Sequence, residues 1–318
     1  MTASRAEGTF GFGLLPSADG TVVTVGTFDG VHRGHWEVLA AMRARADATG
    51  RRSVLVTFDP HPLRVVRPDE APPLLTTPAE KKEILAESGL EWAVFLAFTR
   101  ELAQYSPERF VEEILIRRLG ARELVIGYDH GFGRGRSGDV DTLRRLGERL
   151  EFDVVVVPPV SDGGDAISSS VIRRCLETGD VEGARSRLGR PYSLRGSVVH
   201  GEGRGRDLGF PTANVEVPTP DKLIPDSGIY AVRVVLRRGT WDGALHLGPR
   251  PTFPGSPPAI EVHLLDFDGG IYGEEIRVDF IRRLRGIESF PSAEALVVQM
   301  RKDVEGARVL LTAERGGV

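Results

Sequence analysis

Cysteine is almost absent from this chain: Cys175 stands alone among 318 residues. A single thiol forms no intrachain disulfide and rules out a Cys-rich metal site, which fits a reducing cytoplasm. Long apolar runs are missing too. No stretch approaches the ~18 uncharged apolar residues of a membrane span, and the first twenty residues contain no continuous apolar core of signal-peptide length. The expectation is a cytoplasmic chain with no membrane partner. Excess positive charge is also lacking, with 41 Lys and Arg against 45 Asp and Glu and a formal net charge of -4, so no global field favours nucleic acid. Two common phosphate-binding readings lack support as well: no G-x-x-x-x-G-K-[ST] occurs, and the G-x-G-x-x-G at Gly133–Gly138 does not come directly after a strand, which argues against the ordinary P-loop and dinucleotide-binding readings.

What is present is an ordinary globular composition, 41% hydrophobic and 27% charged, in a chain long enough for two cores. From about residue 21 to 157, apolar strand-length runs (TVVTVG, SVLVTF, WAVFLAF, ELVIG, DVVVV) alternate with segments of helical period. Their two-sided hydrophobicity predicts buried parallel strands in an α/β sheet. Helix starts are legible at Thr77-Pro78-Ala79-Glu80, a capping box with Pro at the first helical position, and at Ser106-Pro107. Two short helices are expected over 170–178 and 181–188, and the punctuation Gly189-Arg190-Pro191 places the domain boundary between 188 and 189. Beyond it the segments SLRGSVVH, TANVEV, IYAVRVVL, GALHLG, AIEVHLLDF and EIRVDFI alternate and read as antiparallel strands. Such strands manage their edges most simply by closing into a small barrel. An amphipathic helix is expected over 292–312, with Leu296, Met300, Val304 and Leu311 on one stripe.

The sharpest local signal is Gly26-Thr27-Phe28-Asp29-Gly30-Val31-His32-Arg33-Gly34-His35, where the first strand gives way to the first long helix. Gly26, Gly30 and Gly34 let the backbone approach a phosphate, the helix N-terminus offers N–H groups to an anion, and His32 and His35 add donors. The same residues also read as a mere Gly-rich turn. The stretch resembles the signature of the nucleotidyltransferase superfamily, in the form carried by bacterial bifunctional riboflavin kinase/FAD synthetases. Three further segments follow the family's order: Phe58-Asp59-Pro60-His61-Pro62 after the second strand, Gly127-Tyr128-Asp129-His130-Gly131-Phe132-Gly133 after the fourth, and Ile167-Ser168-Ser169-Ser170-Val171-Ile172-Arg173 opening a helix. His130 departs from the family's usual Phe, and Ser170 from its Thr.

In the second half, the Gly/Arg loop around Gly203, Gly205 and Arg206 leads into Pro211-Thr212-Ala213-Asn214. A loop of that composition suits polyphosphate, and Thr and Asn oxygens are hard ligands suited to Mg²⁺. A flexible hairpin tip followed by a turn explains the same residues equally well. Here too the stretch resembles the family, in its riboflavin kinase signature, with downstream matches at Gly228-Ile229-Tyr230-Ala231, Arg250-Pro251-Thr252-Phe253, Glu261-Val262-His263 and Tyr272-Gly273. Strand alternation sets Glu261 and His263 on one face and Ile260, Val262 and Leu264 on the other. A solvated outer face would show the same pattern.

The resemblance implies a Rossmann-like nucleotidyltransferase domain with a parallel sheet over 1–188, and an antiparallel β-barrel riboflavin kinase domain with a terminal helix over 189–318. It implies phosphorylation of riboflavin to FMN and adenylylation of FMN to FAD, with ATP and Mg²⁺. His32 and His35 then steady the transition state. Gly26, Phe28, Asp29, Gly30, Gly34, Ser168, Ser169, Ser170 and Arg173, with Gly203, Gly205 and Arg206, serve ATP, and Asp59, His61, Asp129 and Arg285 serve the flavin. Thr212 and Asn214 serve the metal, and Glu261 is the candidate base. Departures at His246 and over 284–290 leave the flavin contacts near Arg285 open. Two rival readings stand beside this one: a nucleotidyltransferase acting on another phosphorylated substrate, and a flavin-binding or flavin-delivery protein with at most one active module. The oligomeric state is not legible.

Overall fold

The computed structural model describes residues 20–316 apart from 130, 135–137, 202 and 250–258, with the backbone alone at 204, 207 and 316. His130 and the Arg250-Pro251-Thr252-Phe253 match lie outside the described residues. The chain divides into two compact units, Met1–Ser169 and Ser170–Val318.

In the first unit, five parallel strands form one sheet: β1 (Thr21–Val25), β2 (Arg52–Asp59), β3 (Trp92–Ala97), β4 (Ala121–Gly127) and β5 (Asp153–Val157). They run in the order β3-β2-β1-β4-β5. Sequence alternation sends Val23, Val25, Val54 and Val56 to one face and Val22 and Leu55 to the other, and each face carries its own apolar cluster. Helix α1 (Arg33–Thr49) covers the Val22 face with Leu39 and Met42, while α4 (Pro107–Phe110), the π-helical turn that continues it (Val111–Ile116) and α5 (Val140–Leu150) cover the other. The short α2 (Pro62–Val66) follows β2, and α3 (Pro78–Ala86) precedes β3. The expected cap of α3 is present, Thr77 Oγ1 accepting from Glu80 N and the Glu80 carboxylate from Thr77 N at 2.8 Å. A small hairpin, β6 (Ser161–Asp162) and β7 (Asp165–Ala166), leads to α6 (Ser169–Glu177).

The second unit is a closed antiparallel barrel, with β8 (Tyr192–Val199), β9 (Ala213–Glu216), β10 (Gly228–Leu236), β11 (Gly239–Gly248), β12 (Ala259–Leu264) and β13 (Glu275–Arg285) in the order β10-β11-β12-β9-β8-β13. All six expected strand segments are found in it. Strand β8 alternates buried and half-buried residues along its whole length, as a filled small barrel requires. A short helix, α8 (Arg204–Asp207), interrupts the Gly/Arg loop, and α9 (Ala293–Gly316) packs on β10, β11 and β13. Helix α7 (Val181–Leu188), which the sequence reading assigns to the first domain, packs on β8 and β13.

Candidate functional sites

In the first unit the sheet order puts the C-terminal ends of β2, β1 and β4 side by side, and the strand sequence reverses direction at β1. Open α/β sheets bind ligands in the crevice at such a point. The turn Gly26–His35 leaves β1 there, Asp59 and His61 follow β2, and Asp129 follows β4, so these expected residues share one edge of the sheet.

At that edge, α1 begins on an unusual cap. His32 Nδ1 accepts the backbone N–H of His35 at 3.3 Å, and His35 Nδ1 accepts that of His32 at 3.3 Å. The imidazoles stack with centroids 3.6 Å apart and 14° between planes. This is a capping box built from histidines in place of the usual Ser or Thr and Glu. Because each Nδ1 is an acceptor, the ring proton sits on Nε2, the nitrogen directed away from the helix backbone. Gly34 leaves the stack room: a Cβ there would come within 3.2 Å of the His32 ring. With no acidic residue in its first turn, the 17-residue helix leaves its positive end uncompensated.

The turn rests on buried supports. Phe28 is 3% exposed and packs in the apolar cluster with its ring centroid 4.6 Å from that of His35. Asp29 is 1% exposed, and its carboxylate accepts from Leu75 N at 3.0 Å, Thr76 N at 3.0 Å and Thr76 Oγ1 at 3.2 Å. The structure thus gives Asp29 a positioning job: it ties the 75–76 segment under the turn. Ser169 Oγ donates to the Asp29 carbonyl at 2.9 Å, which brings the serine segment to the same turn. Ser168 is half-buried and belongs to this unit, whereas Ser170 and Arg173 continue along α6 within the second unit, Ser170 exposed and Arg173 buried. His61 caps α2, its Nδ1 accepting from Leu63 N at 3.3 Å. The sequence reading overlooked Lys81, buried on α3 with Nζ 2.7 Å from the Thr27 carbonyl. A lysine one turn into a capped helix reads as solvated surface, and nothing local signals otherwise.

The second unit holds its own cavity. Gly203, Gly205, Thr212, Glu261 and Arg285 line it, together with the α9 stripe Leu296, Met300 and Val304. Register places Glu261 on β12 directly between Asn214 of β9 and His246 of β11. Close by, His263 Nδ1 donates to the Pro211 carbonyl at 2.8 Å, holding the start of the Thr212–Asn214 strand, and His246 Nε2 donates to the Gly248 carbonyl at 3.2 Å. Gly205 is required for close approach, since a Cβ there would lie 2.5 Å from the Phe210 carbonyl and 2.9 Å from Thr212 Oγ1. Arg206 is exposed on α8 outside the cavity lining. Gly205→Ala is therefore expected to lower, at least ~10-fold, the riboflavin phosphorylation that the sequence resemblance implies for this unit, by straining and misplacing Thr212. The implied adenylylation of FMN is expected to be unchanged, and assaying both reactions on one preparation checks this.

Arg285 lies in the cavity wall with its guanidinium committed. It makes a bidentate pair with Asp303 of α9, Nε–Oδ1 2.9 Å and Nη2–Oδ2 2.7 Å, and Gln299 Nε2 donates to the same carboxylate at 2.9 Å. The two side chains are 17% and 9% exposed, so the pair clasps α9 to the end of β13 in a largely dry setting. Asp303 was not singled out from the sequence, because one acidic residue on an amphipathic helix carries no signal. Removing it strands a buried guanidinium. Asp303→Ala is expected to cost ~3 kcal/mol of stability in the second unit as α9 loosens, read by urea denaturation.

Two family models match the chain: FAD synthetase over residues 15–171 and riboflavin kinase over residues 188–311. The bifunctional riboflavin kinase/FMN adenylyltransferase of Pseudomonas fluorescens is 39% identical over 298 residues, covering 93% of this chain and 95% of its own length. The protein of that name from Escherichia coli strain K12 is 36% identical, covering 91% and 92%. That from Bacillus subtilis strain 168 is 34% identical, covering 90% and 91%. Among solved structures, one described as a macrolide-efflux protein from Streptococcus pneumoniae superposes with a TM-score of 0.83 at 32% identity, covering 92% of this chain and 95% of that one. Among the described residues, no helix is long and apolar enough to cross a membrane. The two candidate sites described above fall one within each family match.

Proposed function

The chain belongs to the family of bifunctional riboflavin kinase/FMN adenylyltransferases, and on that footing we propose which of its residues carry each reaction. The observation that supports the division is the contrast between the two sites: hydrogen-bond donors at a helix N-terminus in the first, a carboxylate beside neutral oxygen ligands in the second.

In adenylyl transfer a phosphate oxygen of FMN attacks the α-phosphorus of ATP, the new O–P bond forms, and the bond to pyrophosphate breaks. The nucleophile is already an anion, so no proton has to be removed, and the demand is alignment and charge stabilisation. His32 and His35 donate through Nε2 to the phosphate oxygens on which charge accumulates, alongside the N–H groups of the α1 terminus. Ser169 fixes the turn from the other side, and Phe28 and Asp29 support it from within. Asp59, His61 and Asp129, at the same sheet edge, are assigned to the flavin and ribose.

Phosphorylation of riboflavin begins from a neutral 5′-hydroxyl. Glu261 accepts its proton as the oxygen bonds to the γ-phosphorus of ATP and ADP departs. Gly203 and Gly205 bring backbone to the polyphosphate. Thr212 and Asn214 fit Mg²⁺ as neutral hard-oxygen ligands, the absence of a Cβ leaving room for Thr212 at Gly205 and for Asn214 at Gly201. When bound, the ion supplies neutralisation of phosphate charge. Leu296, Met300 and Val304 supply the apolar wall for the flavin ring. With only Cys175 as a thiol, a cytoplasmic location belongs to the same reading.

Product release separates the two reactions. Supplied with FMN and ATP, the protein is expected to release pyrophosphate; supplied with riboflavin and ATP, it is expected to release ADP first. Pyrophosphate appearing from riboflavin ahead of any FMN would contradict the assignment.

A further inference from the structure

Beneath the turn that carries His32 and His35 lies a charge that none of these steps uses. Lys81 is 7% exposed. Its Nζ donates to the Thr27 carbonyl at 2.7 Å and to Thr57 Oγ1 at 3.4 Å, and Thr57 Oγ1 donates to that carbonyl at 2.9 Å. The groups facing it are Asp29 on the turn and Asp59 at the end of β2, with Glu80 beside it on α3. Burial pushes the ammonium below the usual lysine range, while Asp29 and then Asp59 pull it back up. Burying an ammonium costs several kcal/mol, and a methionine of similar length would fill the space without that penalty. The fold bears the cost at one backbone carbonyl.

That carbonyl opens a strained stretch. Phe28 and Val31 sit at φ of 47° and 40°, a region unfavourable for residues with a side chain and most of all for β-branched valine. Such residues persist only where their surroundings over-determine them. Here the 75–81 segment does so at three points: Asp29 held by the N–H groups of 75 and 76, Gly30 N donating to Thr76 Oγ1 at 3.1 Å, and Lys81 on Thr27. The strained residues lead directly into the His32 cap. We propose that Lys81 is a positioning residue for adenylyl transfer: its ammonium fixes the Thr27 carbonyl, and thereby the turn that aims His32, His35 and the α1 N-terminus at the phosphates of ATP.

The inference rests on the turn being the adenylyl-transfer site, and the test reads that premise separately through a His35→Ala variant. In Lys81→Met, kcat for FAD formation from FMN is expected to fall at least tenfold, with the KM for ATP changed less. Riboflavin phosphorylation by the same preparation should be unchanged. Because the charged ammonium holds the Thr27 carbonyl more strongly than a neutral amine or the Thr57 hydroxyl can, wild-type adenylylation should decline at alkaline pH as Lys81 loses its proton, while the residual activity of Lys81→Met should lack that limb. A purely structural lysine would alter stability without shaping the pH profile. A Lys81→Met kcat within twofold of wild type, or an alkaline limb that survives in it, overturns the assignment while a loss in His35→Ala keeps the site intact. An unimpaired His35→Ala removes the premise and the inference with it. Should Lys81→Met not fold, the wild-type profiles decide: an alkaline limb in adenylylation and not in phosphorylation supports the proposal, and its absence from both overturns it.

Discussion

Glu261→Gln is expected to lose riboflavin phosphorylation by ~10²-fold or more while FAD formation from supplied FMN continues at the wild-type rate. The amide keeps the size and hydrogen-bonding capacity of the carboxylate but cannot take up the proton of the 5′-hydroxyl, and general-base catalysis contributes about 10² to 10⁴ in rate. Glu261 sits in the middle of β12 between Asn214 and His246, with the adjacent Val262 fully buried, so the barrel holds it in register and an isosteric change leaves the strand in place. The loss should therefore appear in kcat, with the KM for riboflavin little changed. The adenylylation assay serves as an internal control, since that site lies in the other unit and its nucleophile needs no base. Unimpaired phosphorylation in Glu261→Gln would remove Glu261 from its role.

The reciprocal result is expected of His35→Ala: a loss of ~10²- to 10³-fold in FMN adenylylation, the magnitude found when one preorganised donor to a developing charge is removed, with riboflavin phosphorylation intact. The substitution also removes half of the capping box. Losing a cap costs ~1 kcal/mol, whereas the kinetic loss corresponds to ~3–4 kcal/mol of transition-state stabilisation. The two effects separate in measurement. A small fall in thermal midpoint with a large fall in kcat supports the donor role, while a rate that tracks only the loss of folded protein would reduce His35 to a cap.

Much of this architecture was legible because it is written in local periodicity. Two-sided apolar runs gave β1 to β5 and alternation gave the six barrel strands; the terminal helix, expected over 292–312, spans Ala293–Gly316. The edge residues of the first site were legible for a similar reason, each following a strand. What could not be read depends on contacts between distant residues. Lys81 meets Thr27 and Thr57 across separations of 54 and 24 residues, and Arg285 meets Asp303 from another element. Asp29 is expected at ATP, and its carboxylate also accepts backbone N–H groups 46 and 47 residues away, a support that no local pattern signals. The histidine capping box escaped because capping signals are written in Ser, Thr, Asp and Glu, so the pair registered only as phosphate donors. The domain boundary expected from the Gly-Arg-Pro punctuation lies between 188 and 189, next to the start of the riboflavin kinase match at 188, while the compact units divide between Ser169 and Ser170. Punctuation marks where a helix stops, and the packing partner of that helix is set by tertiary contacts.

The most direct test of the account follows riboflavin, FMN and FAD by chromatography after purified protein is mixed with riboflavin, ATP and Mg²⁺. FMN should rise first and FAD should follow at its expense, as two sites acting in sequence require. Riboflavin left untouched, or FMN accumulating with no FAD at any time, would contradict it.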